Sequence, residues 1–360
     1  MKLQKDFFVT TQTPNSASCH NLPQHVQFRA ILGRADDLKA DVFFQMRVPI
    51  SKETEPSLAL EGLLTGPLST RASTLPIRQK IRIHSQQIVD NGIEILGHSI
   101  LTEPAFWTPN VPMLYSVKCR ITSSGQDVAL LSETVGLRRL GIRNHSLWLE
   151  GHRFVIRGVT CSDRENKSTE QRPAPLKDYK TAEIIDLSPG VSSETDSQRL
   201  KLDENLKSAD EDGRPIIVRL HPTSQPCSIP AVICTLTNHP AVLLIVIPNT
   251  LLQEVPKISA YKGTMLFATE VSAELAPPPK LPNGVDLAIV RLSQTVPDSS
   301  WKTPPLYPVI AWQTGVPSQR QECDRLQALL ANWRTTSKSP PSSWDWAGFL
   351  AGDEMIHHQT

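Results

Sequence analysis

The sequence has almost no net charge: 37 lysines and arginines stand against 36 aspartates and glutamates, with 10 histidines, in 360 residues. A protein that holds nucleic acid or a membrane surface by bulk electrostatics needs an excess of positive charge, so neither partner is expected. Long apolar runs are also missing. The longest, Ala241 to Ile247, has seven residues, against the roughly 20 that span a bilayer. The start of the chain, Met1 to Phe8, carries two lysines but neither an apolar stretch nor a small-residue cleavage site. No secretory signal is read there, and the cytoplasm is the expected location. Cysteine is scarce: Cys19, Cys119, Cys161, Cys227, Cys234 and Cys323, with no CxxC pair. That argues against a disulfide scaffold and against a zinc or redox pair, and predicts reduced thiols. The patterns HExxH, GxxxxGK[ST], GxGxxG and GxSxG are absent. Metalloprotease, P-loop, dinucleotide and serine-hydrolase readings therefore have no local support, and neither metal nor cofactor is expected. His357 and His358 have no companion ligands and read as a frayed tail.

Glycine is sparse, at 17 residues, whereas proline is abundant at 30, and 21 of the prolines follow residue 142. The length fits two domains, and the pattern changes at that point. Up to residue 142 the chain reads as short alternating strands such as Val26 to Ile31, Lys80 to His84, Ile93 to Ile95 and Tyr115 to Ile121, the last followed by a Ser123-Ser124-Gly125 turn. Strands at this spacing, with polar residues on every second position, predict an antiparallel β-sandwich with one solvated face over residues 1–142.

From residue 143 to 360 the apolar runs are nearly continuous, as in strands buried on both faces. There are eight: Phe154–Val159, Ala182–Leu187, Pro215–Leu220, Ala241–Ile247, Thr264–Ala268, Val285–Val290, Tyr307–Ala311 and Trp346–Leu350. Helical patterns fall between several of them, notably Leu200 to Asp212 before Gly213, and Gln321 to Trp333 with Leu326, Leu329 and Leu330 on one face. The count predicts a short, loop-rich (β/α)8 barrel. A doubly wound open sheet is the alternative that the runs leave open.

Three ordered segments then carry a resemblance: Glu103-Pro104-Ala105-Phe106-Trp107-Thr108-Pro109-Asn110-Val111-Pro112-Met113-Leu114-Tyr115, Thr134-Val135-Gly136-Leu137-Arg138-Arg139-Leu140, and Leu147 to Val159. Together they resemble the end of the immunoglobulin-like domain and the first barrel strand of glycoside hydrolase family 2, which includes β-galactosidases, β-glucuronidases and β-mannosidases. Taken by themselves, Trp107 and Tyr115 read as sandwich core. Arg138 and Arg139 read as solvated or as spanning the domain interface.

The resemblance implies an O-glycosyl hydrolase working with two carboxylic acids at the carboxyl ends of barrel strands, one protonating the leaving oxygen and one attacking the anomeric carbon. The family's fourth-strand pattern is matched by His239-Pro240-Ala241-Val242-Leu243-Leu244-Ile245-Val246-Ile247-Pro248-Asn249-Thr250, with Thr250 where the acid/base glutamate stands. The seventh-strand pattern is matched by Pro308-Val309-Ile310-Ala311-Trp312-Gln313-Thr314-Gly315, with Gln313 at the nucleophile position. A threonine hydroxyl cannot serve as the carboxylic acid, and a neutral amide is too poor a nucleophile to form a glycosyl-enzyme. The resemblance further implies a jelly-roll sugar-binding domain ahead of the immunoglobulin-like one. Only about 20 residues precede the first strand, so that domain is expected to be missing unless a neighbouring polypeptide supplies it.

Two expectations follow. The first is a degenerate homologue, a pseudoenzyme without hydrolysis that binds carbohydrate or a protein partner or serves as a scaffold, with Asn249, Trp312, Gln313 and His221 as candidate ligand contacts. The second is an active glycosidase with relocated carboxylates: Glu270 first, then Asp186 or Glu254, with Asp353 and Glu354 after the eighth strand as further candidates. An acid at a strand end also serves as a loop hydrogen-bonder or helix cap.

Overall fold

The computed structural model describes residues 26–49, 58–89, 92–160, 181–188, 196–225, 228–275, 278–293, 296–303, 305–335 and 344–352. Cys19, Cys161 and Cys227, together with Asp353, Glu354, His357 and His358, lie outside the described residues.

Seven strands come first: β1 (Gln27–Ala35), β2 (Lys39–Val48), β3 (Leu58–Leu68), β4 (Ile77–Val89), β5 (Gly92–Thr102), β6 (Leu114–Ser123) and β7 (Gln126–Val135). They pair antiparallel in the order β1-β2-β5-β4-β3-β6-β7. The expected sandwich is thus one continuous sheet curled on itself, and β4 is the physical reason. It is 13 residues long. Its first part pairs with β3 through Ile77 to Ile81, its second with β5 through Arg82 to Val89, and the register shifts between Ile83 and Ser85. Alternation buries every second residue of β2, so that Ala40, Val42, Phe44, Met46 and Val48 enter a core shared with Leu64, Tyr115, Val117 and Ile121 from the other half of the curl. The Ser124-Gly125 turn forms as the sequence predicts, with both residues at positive φ and Ser123 paired to Gln126.

A three-stranded meander follows: β8 (Leu140–Arg143), β9 (Ser146–Leu149) and β10 (His152–Phe154). All eight predicted barrel runs then appear as parallel strands: β11 (Ile156–Thr160), β12 (Thr181–Leu187), β13 (Ile216–Leu220), β14 (Val242–Ile247), β15 (Leu266–Ser272), β16 (Leu287–Leu292), β17 (Val309–Gln313) and β18 (Gly348–Ala351). Strand β18 pairs with both β17 and β11, which closes the barrel and removes the open-sheet alternative. Every residue of β14 is buried, which is why its sequence shows no alternation.

Helices are fewer than strands. Among the described residues the α-helices are α1 (Asp196–Asp212), α2 (Ile229–Leu236), α3 (Val255–Ile258) and α4 (Arg320–Thr335). Gly213 ends α1 at φ +65°, the left-handed conformation that a helix C-terminus favours. In α4 the buried apolar face is Cys323, Leu326 and Leu330, whereas Leu329, expected beside them, is 41% exposed. The three described cysteines, Cys119, Cys234 and Cys323, are free thiols. No helix among the described residues is long and apolar enough to cross a membrane.

The resemblance-bearing segments form the joint between sheet and barrel. Trp107 is fully buried, but in the barrel's core cluster and not the sheet's, and its Nε1 donates to the Asp210 main-chain oxygen at 2.8 Å. Tyr115 does enter the sheet core, its hydroxyl accepting from Ala105 N and donating to Ala105 O. Arg138 spans the interface as one of its two readings had it: its Nη1 donates to the main-chain oxygens of Pro240 and Val242, and its Nη2 to Thr264 Oγ1. Burial pulls the Arg138 guanidinium down to about 9, with Asp210 opposing, so it stays a cation at neutral pH. Beneath it His239 Nδ1 lies 2.7 Å from Asp210 Oδ2, and Asp210 Oδ1 accepts from Ala241 N. Asn238 seals the edge strand like an extra peptide group, donating to Phe28 O and accepting from Ala30 N.

Candidate functional site

The carboxyl ends of parallel strands open on one end of a barrel, where side chains from several strands converge. Here they line a cavity of about 670 Å³, whose wall includes Arg219, His221, Asn249, Thr250, Glu270 and Arg291. In an apolar strand a charged residue near the carboxyl end is the exception, and β13 and β16 each carry one at the penultimate position: Arg219 in IIVRL and Arg291 in LAIVRL.

Arg219 organises the mouth. Its Nε and Nη2 donate to the two oxygens of Asp186 on β12, the latter at 2.8 Å, in the paired geometry that suits a carboxylate. Its guanidinium carbon lies 5.1 Å from the centroid of the Trp312 ring on β17. Its Nη1 faces Glu270 of β15 at 3.8 Å, and Arg291 of β16 reaches the other Glu270 oxygen at 3.6 Å. Burial raises the Glu270 pKa, Arg219 and Arg291 oppose that shift, and Asp186 adds to it. For Arg219 burial acts to lower the pKa, and the Asp186 hydrogen bond and the charges of Asp186 and Glu270 outweigh it, so the guanidinium is held above its usual value.

The residues singled out in the sequence divide between the mouth and its surroundings. Asp186 and Glu270, proposed separately, share Arg219. Thr250 and Gln313 stand at carboxyl ends of barrel strands: Thr250 lies beyond the end of β14, exposed, with its hydroxyl 3.4 Å from Pro222 O, and Gln313 ends β17, half-buried. Asn249 lines the cavity and accepts from Thr269 Oγ1 at 3.3 Å. His221 also lines it, its Nδ1 2.6 Å from Thr223 Oγ1. Trp312, expected to offer a ring face to a ligand, is 1% exposed and covered by Arg219. Glu254 is on the short 3-10 turn Asn249–Glu254 and pairs with Lys257 at 2.9 Å, outside the cavity wall. Arg219 and Arg291 were not singled out by sequence reasoning. The signal that finds them is a lone charge at the carboxyl end of an otherwise apolar barrel strand. Among the described residues no group of three or more histidine, cysteine or acidic side chains is arranged to hold a metal ion.

An antiparallel sheet leading into a closed parallel barrel, with a polar mouth at the carboxyl ends of the strands, is the class of protein that fold and site define. No protein-family model matches the sequence, and no curated protein matches it. Among solved structures the fold is similar to a calcium-binding mutant of Bacteroides uniformis β-glucuronidase 2, at a TM-score of 0.55 and 11% identity over 91% of this chain and 46% of that one. A putative β-galactosidase from Bacteroides fragilis aligns at 0.55 and 13% identity, covering 90% and 54%. A glycosyl hydrolase family 2 member from Bacteroides cellulosilyticus aligns at 0.54 and 12%, covering 91% and 44%. The chain therefore has a fold like that of family 2 glycosidases, and spans about half the length of these structures.

Proposed function

We propose that the chain is a glycoside hydrolase family 2-like pseudoenzyme, whose barrel mouth binds a ligand, carbohydrate first, without hydrolysing it. The observation that carries this reading is Arg219 held between Asp186 and Glu270, in a mouth where Thr250 and Gln313 occupy the positions matching the family's two glutamates. A retaining glycosidase needs one carboxyl free to protonate and another free to attack, roughly 5–5.5 Å apart. A carboxylate engaged through both oxygens by a guanidinium is a poorer nucleophile, since the paired hydrogen bonds and the cation stabilise the charge that would attack.

In the same reading residues 1–142 and 143–360 form two domains, and the first is immunoglobulin-like. The strand order β1-β2-β5-β4 and β3-β6-β7 follows the ABED and CFG sheets of that fold, here fused through β3 and β4. The Tyr115 hydroxyl bonded back to Ala105 corresponds to its tyrosine corner.

Glu270 keeps a second reading in play, that of an active glycosidase with relocated carboxylates. Its carboxyl lines the cavity and burial raises its pKa, which is what a general acid requires. Incubation of the purified chain with aryl β-glucuronide, β-galactoside and β-mannoside decides between the two. The expected result is no release of the aryl group above buffer, with saturable binding of an oligosaccharide by calorimetry. Turnover that disappears in Glu270→Gln, and in Asp186→Asn, would establish the relocated site instead.

A further inference from the structure

Two guanidinium groups converge on the mouth, and the acid between them makes no hydrogen bond to either. The Glu270 oxygens stand 3.8 Å from Arg219 Nη1 and 3.6 Å from Arg291 Nη1, whereas a charge-assisted N–H to carboxylate bond closes to about 2.8 Å. Arg219 is not at liberty to close that gap. Asp186 fixes its Nε and Nη2, and Trp312 lies under its plane, so Nη1 is left facing Glu270 and the cavity. The remaining wall supplies neutral hydrogen-bonding groups, among them Asn249, Thr250, Ser272 and Thr314. A volume of about 670 Å³ leaves room for a ligand many times the size of a carboxylate.

We infer that the mouth is an anion site, in which a carboxylate, sulfate ester or phosphate ester of the ligand takes hydrogen bonds from Arg219 and Arg291 while Glu270 picks up one proton from solvent. This rests on the reading of the mouth as a binding site and adds the chemical class of its ligand. The charges balance. With the site empty, two guanidinium groups face the carboxylates of Asp186 and Glu270. With it filled, they face Asp186 and the ligand's oxyanion, and Glu270 is neutral. The ionisable groups on the elements around Glu270 are Asp186 on β12, Arg219 on β13 and His221 just after it, and Arg291 on β16. The described cavity wall after β14 contributes Asn249 and Thr250, and the residue after β17 contributes Thr314, none of which titrates. Burial already raises the Glu270 pKa, which acts in the direction of that proton uptake.

The test is calorimetric titration of the full chain with sodium sulfate, sodium phosphate and sodium acetate, in buffers of different ionisation enthalpy at pH 5.5 and 7.5. Saturable binding is expected, with up to one proton taken up per anion and an affinity that falls by up to about tenfold per pH unit as Glu270 ionises. The anion that binds tightest separates ester from carboxylate ligands. Glu270→Gln keeps the shape of the side chain and should bind more tightly than the native chain at pH 7.5, with no proton uptake. Arg291→Gln, at a side chain 41% exposed, should weaken binding at least tenfold. Absence of anion binding in both the native chain and Glu270→Gln, or binding indifferent to both substitutions, overturns the inference. Oligosaccharide binding without any anion binding would sink this inference and leave the proposed function standing. Glycoside turnover would do the reverse.

Discussion

Trp107 and Asp210 lock the sheet to the barrel: the buried indole N–H donates at 2.8 Å to the main-chain oxygen of a residue in the last turn of α1. That carbonyl is one of the four that a helix leaves without an intrahelical partner at its C-terminus, so the tryptophan satisfies a group that the helix cannot. The Trp-Thr-Pro segment continues past it, and the Pro109 oxygen accepts from Arg71 Nη1 at 2.7 Å. The motif that carries the family resemblance is thus a structural clamp, remote in role from the mouth.

Trp107→Phe keeps most of the ring and removes the donor. A buried carbonyl left unpaired costs about 1–3 kcal/mol, and urea unfolding should show an unfolding free energy lower by that amount, with an unchanged slope. Ligand binding at the mouth should be unchanged, since none of the cavity-lining residues touches the indole N–H.

His239 makes the same joint sensitive to pH. Burial disfavours its charge, but hydrogen bonds to Asp203 and Asp210 outweigh burial and lift it to about 9 from an ordinary 6.5. A histidine whose pKa is higher folded than unfolded stabilises the fold fully below pH 6.5, and that contribution is lost as pH rises through about 9. Its ceiling is on the order of 3 kcal/mol, from about 1.4 kcal/mol per pKa unit. Asp203 acts on the acid side. The His239 hydrogen bond holds it down at about 2, against the opposing effect of burial, so its contribution is present above pH 3.8 and lost as pH falls through about 2. The contribution of the His239–Asp203 pair to the denaturation midpoint should therefore be constant from about pH 4 to 6.5 and decline between 6.5 and 9. In His239→Gln that decline should vanish, along with about 3–5 kcal/mol at neutral pH from leaving Asp210 buried without its cation.

Much of this architecture could be read from the residues, and the reasons are local. A barrel strand buried on both faces is written as an apolar run, so Ala241 to Ile247 announces β14 without any partner being known. The length of β4 was not legible, because its outward half, Ser85 to Ile88, is exposed and mostly polar, and only pairing with β5 makes it a strand. Asp186 and Glu270 could be placed at strand ends, but not joined. Their link is the guanidinium of Arg219, which reaches across from a strand between them, and side-chain reach across a closed barrel leaves no trace in sequence spacing. The cover over Trp312 is hidden from the sequence for the same reason, since it comes from Arg219 more than 90 residues away.

Arg219 should tolerate no substitute. Arg219→Lys retains the charge but replaces a planar fork with a point donor, losing one of the paired bonds to Asp186. Hydrogen bonds to charged groups contribute about 1.5–3 kcal/mol, and a loss in that range is expected on unfolding. Arg219→Ala leaves Asp186, with its side chain 9% exposed, without a counter-ion and should cost about 3–5 kcal/mol. Adding Asp186→Asn to Arg219→Ala should recover part of that loss, as a neutral amide pays less for burial. A double variant no more stable than Arg219→Ala would show that the cost does not come from leaving the Asp186 carboxyl without its partner.

Gly136 tests the sheet–barrel joint from the other side. A Cβ there would lie 2.4 Å from Pro240 Cγ and 2.9 Å from Pro240 Cβ, with Leu114 Cδ2 at 3.1 Å. The proline ring has no rotamer to retreat into, and its own carbonyl receives Arg138. Relief must come from moving the segment that leads to Arg138 away from the start of β14, which stretches the guanidinium from both of its carbonyls. Gly136→Ala should therefore destabilise by about 1–3 kcal/mol, the range for overpacking a filled site. Gly141, five residues on, is the internal control, because a Cβ there meets nothing within 4 Å. Gly141→Ala should fall within about 0.5 kcal/mol of the native chain. Equal effects at the two positions would mean that the penalty at Gly136 comes from backbone freedom and not from contact with Pro240.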